Sequence, residues 1–194
     1  MDLRICPKVV VPNDEKSMFR FRMNRTKSCV RIPVRGKGGY GSVWYGQMGA
    51  CEPSSKFKLL NFEDFESDKG SELRYRCNGE AGHFASHCEV GKELCPLFRP
   101  VNYGRSNILG FEFCDLHPDS YPLFRRKAET GQIEVNVDRT TDDGEWHCIT
   151  FGDDVHKDQV GFAEECDASD PRQIIEVLQV EAEVGDFFPA CYDL

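Results

Sequence analysis

The segment QIEVNVDRTTDDGEWHCITF, residues 132–151, spells a β-hairpin. Residues 132–138 and 146–151 read as strands, and Thr140–Gly144, TTDDG, is turn chemistry between them. The same signature recurs on either side. ILGFEF at 108–113 reads as a strand, as do FKLL at 57–60 and ELRYR at 72–76, with the turn SDKGSE between the last two. MFRFRM at 18–23 alternates apolar and basic residues, which fits a strand with one face in a core and Arg20 and Arg22 pointing outward. CVRIPV at 29–34 follows, with Pro33 placing it at an edge or near an end. Six glycines lie in the fourteen residues from Gly36, which marks a loop or hairpin feeding the short strand SVWY.

The C-terminal part reads differently. Asp170-Pro171 is a good helix start, because Asp can cap and Pro suits the first turn. Ile174, Ile175, Val177 and Leu178 then fall on one helical face, and from Leu178 the pattern alternates as LQVEAEV. A long helix and a helix followed by a strand both fit. The expected class is therefore α+β and β-rich. It is a single compact domain over 1–194, with antiparallel strands, one C-terminal helix and a loop-rich Cys/His segment. Its parts are a basic β-rich N-terminal part (1–60), the Cys/His segment (70–120) and an acidic C-terminal part (129–194).

Bulk properties narrow the function. With 40% apolar and 29% charged residues, the 194-residue chain has the composition of a folded domain. No stretch approaches the length of a membrane span, so no membrane partner is expected. The start, MDLRICPKVVVPNDEK, has a short apolar patch broken by Pro7, Lys8 and Pro12, which does not read as a secretory signal. Ten cysteines then suggest metal ligation and buried thiols in a reducing compartment, cytoplasm or nucleus, or else a disulfide framework in a secreted chain. Net charge is −9 but polarised: eight basic residues and no acid occupy Lys16–Lys37, whereas 18 acids and three bases occupy 129–194. Acids such as Asp153, Asp154, Glu164 and Glu165 read as a solvated face.

Cys77, His83, His87, Cys88, Cys95, Cys114 and His117 gather four of the ten cysteines and three of the five histidines. Thiolate and imidazole are zinc's preferred ligands. Cys77, Gly82-His83 and Cys88 resemble the last three ligands of a CCHC zinc knuckle, while Arg74 stands where that motif has its first cysteine. The expected cofactor is a structural zinc on Cys77, His83 and Cys88, closed by Cys95.

Two further resemblances are local. Gly36-Lys-Gly-Gly-Tyr-Gly-Ser-Val43 resembles the glycine-rich loop of protein kinases, but no H-R-D, D-F-G or A-P-E follows. Gln47 ahead of Cys51, with His147 downstream and Asp153 to orient it, is similar in order to the papain-like cysteine proteases, though Glu52 replaces that family's aromatic residue. The main expectation is a non-enzymatic interaction protein. Its basic face, Arg20, Arg22, Arg25, Arg31, Arg35 and Lys37, would bind RNA or another nucleic acid, or an acidic protein surface. The alternatives are a small papain-like cysteine hydrolase using Cys51 and His147, and a secreted disulfide-bonded binding protein.

Overall fold

The computed structural model describes residues 17–32, 44–51, 56–76, 92–101, 105–116, 121–137, 144–152 and 161–181. The strands are β1 (Ser17–Met23), β2 (Cys29–Arg31), β3 (Trp44–Tyr45), β4 (Gln47–Gly49), β5 (Lys58–Leu59), β6 (Leu73–Arg76), β7 (Glu93–Val101), β8 (Arg105–Phe113), β9 (Leu123–Lys127), β10 (Gln132–Asn136), β11 (Trp146–Phe151), β12 (Gly161–Glu164) and β13 (Ile175–Glu181). One helical turn, α1 (Phe62–Phe65), interrupts them, capped by Asn61, whose side chain accepts from the Asp64 N–H.

The strands form two antiparallel sheets. The larger follows the order β5-β6-β7-β8-β12-β11-β10-β9, with β3 added to β8. It curls until its ends meet: Ser71, just ahead of β6, exchanges two backbone hydrogen bonds of 2.8 Å with Phe124 of β9. Gly70 makes the approach at φ +78°, in the left-handed region that glycine reaches without strain. The smaller sheet has the order β13-β1-β2-β4. It is stitched to the larger one twice. Phe19 and Phe57 exchange bonds of 2.7 and 2.8 Å, and the Ile175 N–H donates to the Gly131 carbonyl at 2.9 Å.

One apolar cluster draws on both sheets. Phe19, Phe21 and Met23 of β1 join Phe57, Phe111, Phe124, Val135 and Phe151. The alternation of MFRFRM is thus met in space, with Phe19, Phe21 and Met23 in the core and Arg20 and Arg22 on the opposite face, where Met18 is nonetheless buried. A void of about 20 Å³ remains among Phe21, Leu109, Phe111, Phe124, Phe151 and their neighbours, and its lining is wholly apolar. That is room for about one water but with no polar partner to hold it, so the void stays dry and admits no organic ligand.

The α+β class with a C-terminal helix is corrected: the described chain is nearly all antiparallel sheet. Asp170 does cap, accepting the Arg172 N–H at 2.8 Å, and Pro171 does sit in the first turn. The turn nevertheless ends at Gln173 as a single 3-10 turn. From there the chain is captured as strand. The Asn24 N–H donates to the Ile174 carbonyl, and β13 pairs with β1 over seven residues, Ser17↔Glu181 to Met23↔Ile175. Ile174, Ile175 and Val177 are β-branched and stiff at χ1, so little helix propensity resists the pairing. The loop-rich reading of 70–120 is corrected in part too: β7 and β8 form a long hairpin through it, from Leu94↔Phe113 to Val101↔Arg105.

Candidate interaction face

The cysteines decide which site chemistry remains. Cys29 is bonded to Cys51, Cys95 to Cys114 and Cys148 to Cys166. No cysteine among the described residues is free. The zinc expectation is therefore overturned. The Cys95 sulfur that was to close the site is in a disulfide across the β7–β8 hairpin, and a metal needs deprotonated thiolates. Cys77, His83 and Cys88 lie outside the described residues. Glu134, Cys148 and Cys166 do bring ligand-type atoms within 4.8 Å of one another, but the two sulfurs are spent on each other. Arg74, the misfit of the knuckle pattern, clamps β6 to β7 through Glu93 at 2.7 Å and also pairs at 3.3 Å with Glu72, which leads into its own strand.

The hydrolase pair fails on the same ground. Cys51 has no thiol to activate, being bonded to Cys29. His147 lies half-buried on β11, in the other sheet, with Nε2 3.9 Å from a Glu145 carboxylate oxygen. Asp153 lies outside the described residues, as do the glycine-rich residues Gly36–Val43. The zinc part of the interaction reading falls with the paired cysteines, whereas nucleic-acid binding rested on the basic face, which the disulfides do not decide.

The outer face of the smaller sheet carries the remaining candidate residues. Residues paired across an antiparallel ladder share a face. The registers Arg20↔Leu178, Arg22↔Glu176, Arg22↔Cys29 and Arg31↔Gln47 therefore put Arg20, Arg22 and Arg31 together on the side away from the core. Gly49 completes the surface: a Cβ there would collide with Nε and Cζ of Arg31, so the guanidinium lies flat across the glycine. The β1–β2 hairpin closes through Lys27 at φ +56°, with the Lys27 N–H donating to the Met23 carbonyl at 2.9 Å. Arg25 is exposed in that turn. Arg35 and Lys37 lie outside the described residues.

Glu176 is the single acid on this face among the described residues. Its carboxylate accepts from Arg22 Nε at 2.8 Å and from Lys27 Nζ at 2.9 Å, with Arg22 Nη2 at 2.6 Å. Hydrogen bonds from Lys27 and then Arg22 hold its pKa below the ordinary glutamate value. The sign follows from linkage: a carboxylate lowered in the folded state contributes stability above its unfolded pKa and loses it as pH falls through the folded value. In an NMR titration Glu176 is thus expected to protonate at lower pH than a free glutamate, and Glu176→Gln to weaken the acid-side pH dependence of stability. A Glu176 titrating at the ordinary value would contradict the pairing.

Glu176 and Lys27 were missed as partners in this face. No local signal finds them, because Glu176 meets Arg22 across 154 residues of sequence. Three other arginines are consumed structurally. Arg125 lies 3.9 Å over the Trp146 ring and pairs with Glu134, Arg126 pairs with Glu66 at 3.2 Å, and Arg172 with Asp170 at 2.7 Å.

No protein-family model and no curated protein matches this sequence. Among solved structures, a ricin B-like lectin of Macrolepiota procera, described in complex with lactose, aligns over 87% of this chain and 98% of its own, at a TM-score of 0.45 and 8% identity. Similarity at that level does not extend to a ligand. The fold and the cysteines define an all-β, disulfide-stapled protein, and no described helix is long and apolar enough to cross a membrane.

Proposed function

We propose that this chain is a secreted, disulfide-stapled binding protein that presents the outer face of the β13-β1-β2-β4 sheet to its ligand. One observation carries the reading: all six described cysteines are paired within the chain. Disulfides persist in oxidising compartments and are rare where glutathione and thioredoxin keep thiols reduced. Surface binding is consistent with the core void among Phe21, Leu109, Phe111 and their neighbours, which is too small for an organic ligand.

The reading is tested by producing the full chain through a secretory pathway and, separately, in a reducing cytosol. Thiols are then counted by alkylation and mass. Secreted protein is expected to be folded and to take up no alkylating agent at Cys29, Cys51, Cys95, Cys114, Cys148 or Cys166 without reductant. Cytosolic protein is expected to be largely insoluble. A soluble, cooperatively folding cytosolic product with those six thiols free would overturn the proposal.

A further inference from the structure

We infer that the ligand of this face is a sulfated glycan chain, with Arg20 as its principal contact; the inference rests on the binding reading above. Four cations, Arg20, Arg22, Lys27 and Arg31, meet one acid, Glu176, on a chain that carries 33 acids to 24 bases overall. Arg20 stands apart even there. Arg22, Arg74, Arg125, Arg126 and Arg172 each have a carboxylate partner. Arg20 makes no hydrogen bond or ion pair among the described residues; its Nε is shut off from solvent, as in Arg74 and Arg126, so its terminal Nη donors are the ones left for an external partner. A guanidinium is costly to desolvate and offers its donors in a planar fork that fits an oxyanion with two parallel bonds. A half-buried arginine with no partner among the described residues, in a chain with more acids than bases, is therefore a fork open to an external oxyanion.

The surroundings of Arg20 separate the candidates. Leu178 is its cross-strand partner and Val180 lies one register step away, opposite Met18, so a half-buried apolar strip runs beside the guanidinium. Arg22 is roughly 7 Å along the same strand, two residues on at about 3.3 Å each. The described residues of this face include no Phe, Tyr or Trp. Unpaired nucleic acid is held by stacking bases on aromatic side chains, which the described residues of this face do not offer. A glycan with sulfate groups needs no stacking: repeated oxyanions meet the cations, and the C–H faces of the sugar rings lie on the apolar strip. Sulfated glycans also occur in the same oxidising, extracellular setting as the disulfides.

The test measures binding of heparin, a sulfated glycosaminoglycan, to the oxidised full chain at physiological salt. Arg20→Gln is compared with Glu176→Gln, and fully desulfated heparin and a DNA duplex serve as competitors. Heparin is expected to bind the natural chain and to bind Arg20→Gln about tenfold more weakly, the loss of one charge-assisted pair. Glu176→Gln is expected to bind about threefold more tightly, because Arg22 and Lys27 are released from the one acid that pairs with them among the described residues. Desulfated heparin and DNA are expected to compete poorly. The opposite signs of the two variants separate a lost contact from a damaged fold. The inference is overturned if heparin does not bind, if Arg20→Gln binds as well as the natural chain, if Glu176→Gln weakens binding, or if DNA competes as well as heparin. A chain with its six described cysteines oxidised that ignores heparin overturns this inference alone. Free thiols at those positions overturn the reading beneath it.

Discussion

Phe57→Ala is expected to lower the stability of the folded chain by about 4 kcal/mol. Phe57 is fully buried and sits where the two sheets meet. Its ring lies 5.7 Å from Phe21 of the smaller sheet, and 5.8 Å from Tyr75 and from Phe111 of the larger one. Removing it deletes transfer energy and leaves a hole lined by three rings. The hole cannot collapse easily. The Phe57 backbone is pinned to Phe19 by two hydrogen bonds, and its neighbours belong to strands fixed by their own ladders. Phe57→Leu, which keeps most of the volume, is expected to cost less, about 1–2 kcal/mol. Denaturant unfolding of both variants measures this. A loss below about 1 kcal/mol for the alanine variant would mean that the two sheets do not share the core described here.

Reduction is expected to unfold the protein at ordinary temperature. The three disulfides span sequence separations of 22, 19 and 18 residues. A loop of that size removes enough entropy from the unfolded chain to stabilise the fold by about 3 kcal/mol. Three such bonds together reach about 9 kcal/mol, comparable with the whole stability of a typical domain, about 5–15 kcal/mol. Excess dithiothreitol is therefore expected to abolish the near-UV circular dichroism and the cooperative thermal transition. The double variant Cys148→Ser/Cys166→Ser alone is expected to lose about 3 kcal/mol. Order of reduction follows access. Cys51 and Cys166 are exposed ends of their bonds, whereas neither Cys95 nor Cys114 is exposed, so the Cys95–Cys114 bond is expected to be reduced last. A fully reduced chain that keeps its transition would contradict the account.

Strands carried by local pattern were legible in the sequence. MFRFRM alternates because one of its faces is core, and WHCITF pairs with the 132–136 strand across TTDDG as its turn chemistry implies. The C-terminal segment misled because Ile174, Ile175, Val177 and Leu178 satisfy a helical spacing as well as a strand. The partner that decided between them, β1, is more than 150 residues away. The alternation in LQVEAEV was the better signal. β12 was missed altogether. Its buried residues, Gly161, Phe162 and Ala163, sit among acids, and the Gly161 backbone packs so closely on the Phe151 ring that a side chain would not fit.

The cysteine cluster was misread for a different reason. Spacing along the chain reports which residues are near one another, not whether sulfur is thiolate or disulfide. Cys95 and Cys114 approach because β7 and β8 pair, with the Cys114 N–H bonded to the Glu93 carbonyl, and that register is not written in the Cys/His spacing. The basic face was legible as Arg20, Arg22 and Arg31 but not in its balance. Which arginine is neutralised and which stands unpaired depends on where Glu176 lands after the sheet assembles.

The central claim is that an oxidised all-β fold, not a metal, organises this chain. Peptide mapping by mass spectrometry under non-reducing conditions tests it most directly. The expected result is three linked peptide pairs, Cys29 with Cys51, Cys95 with Cys114 and Cys148 with Cys166. Free thiols at these positions, or Cys95 linked to any cysteine other than Cys114, would contradict it.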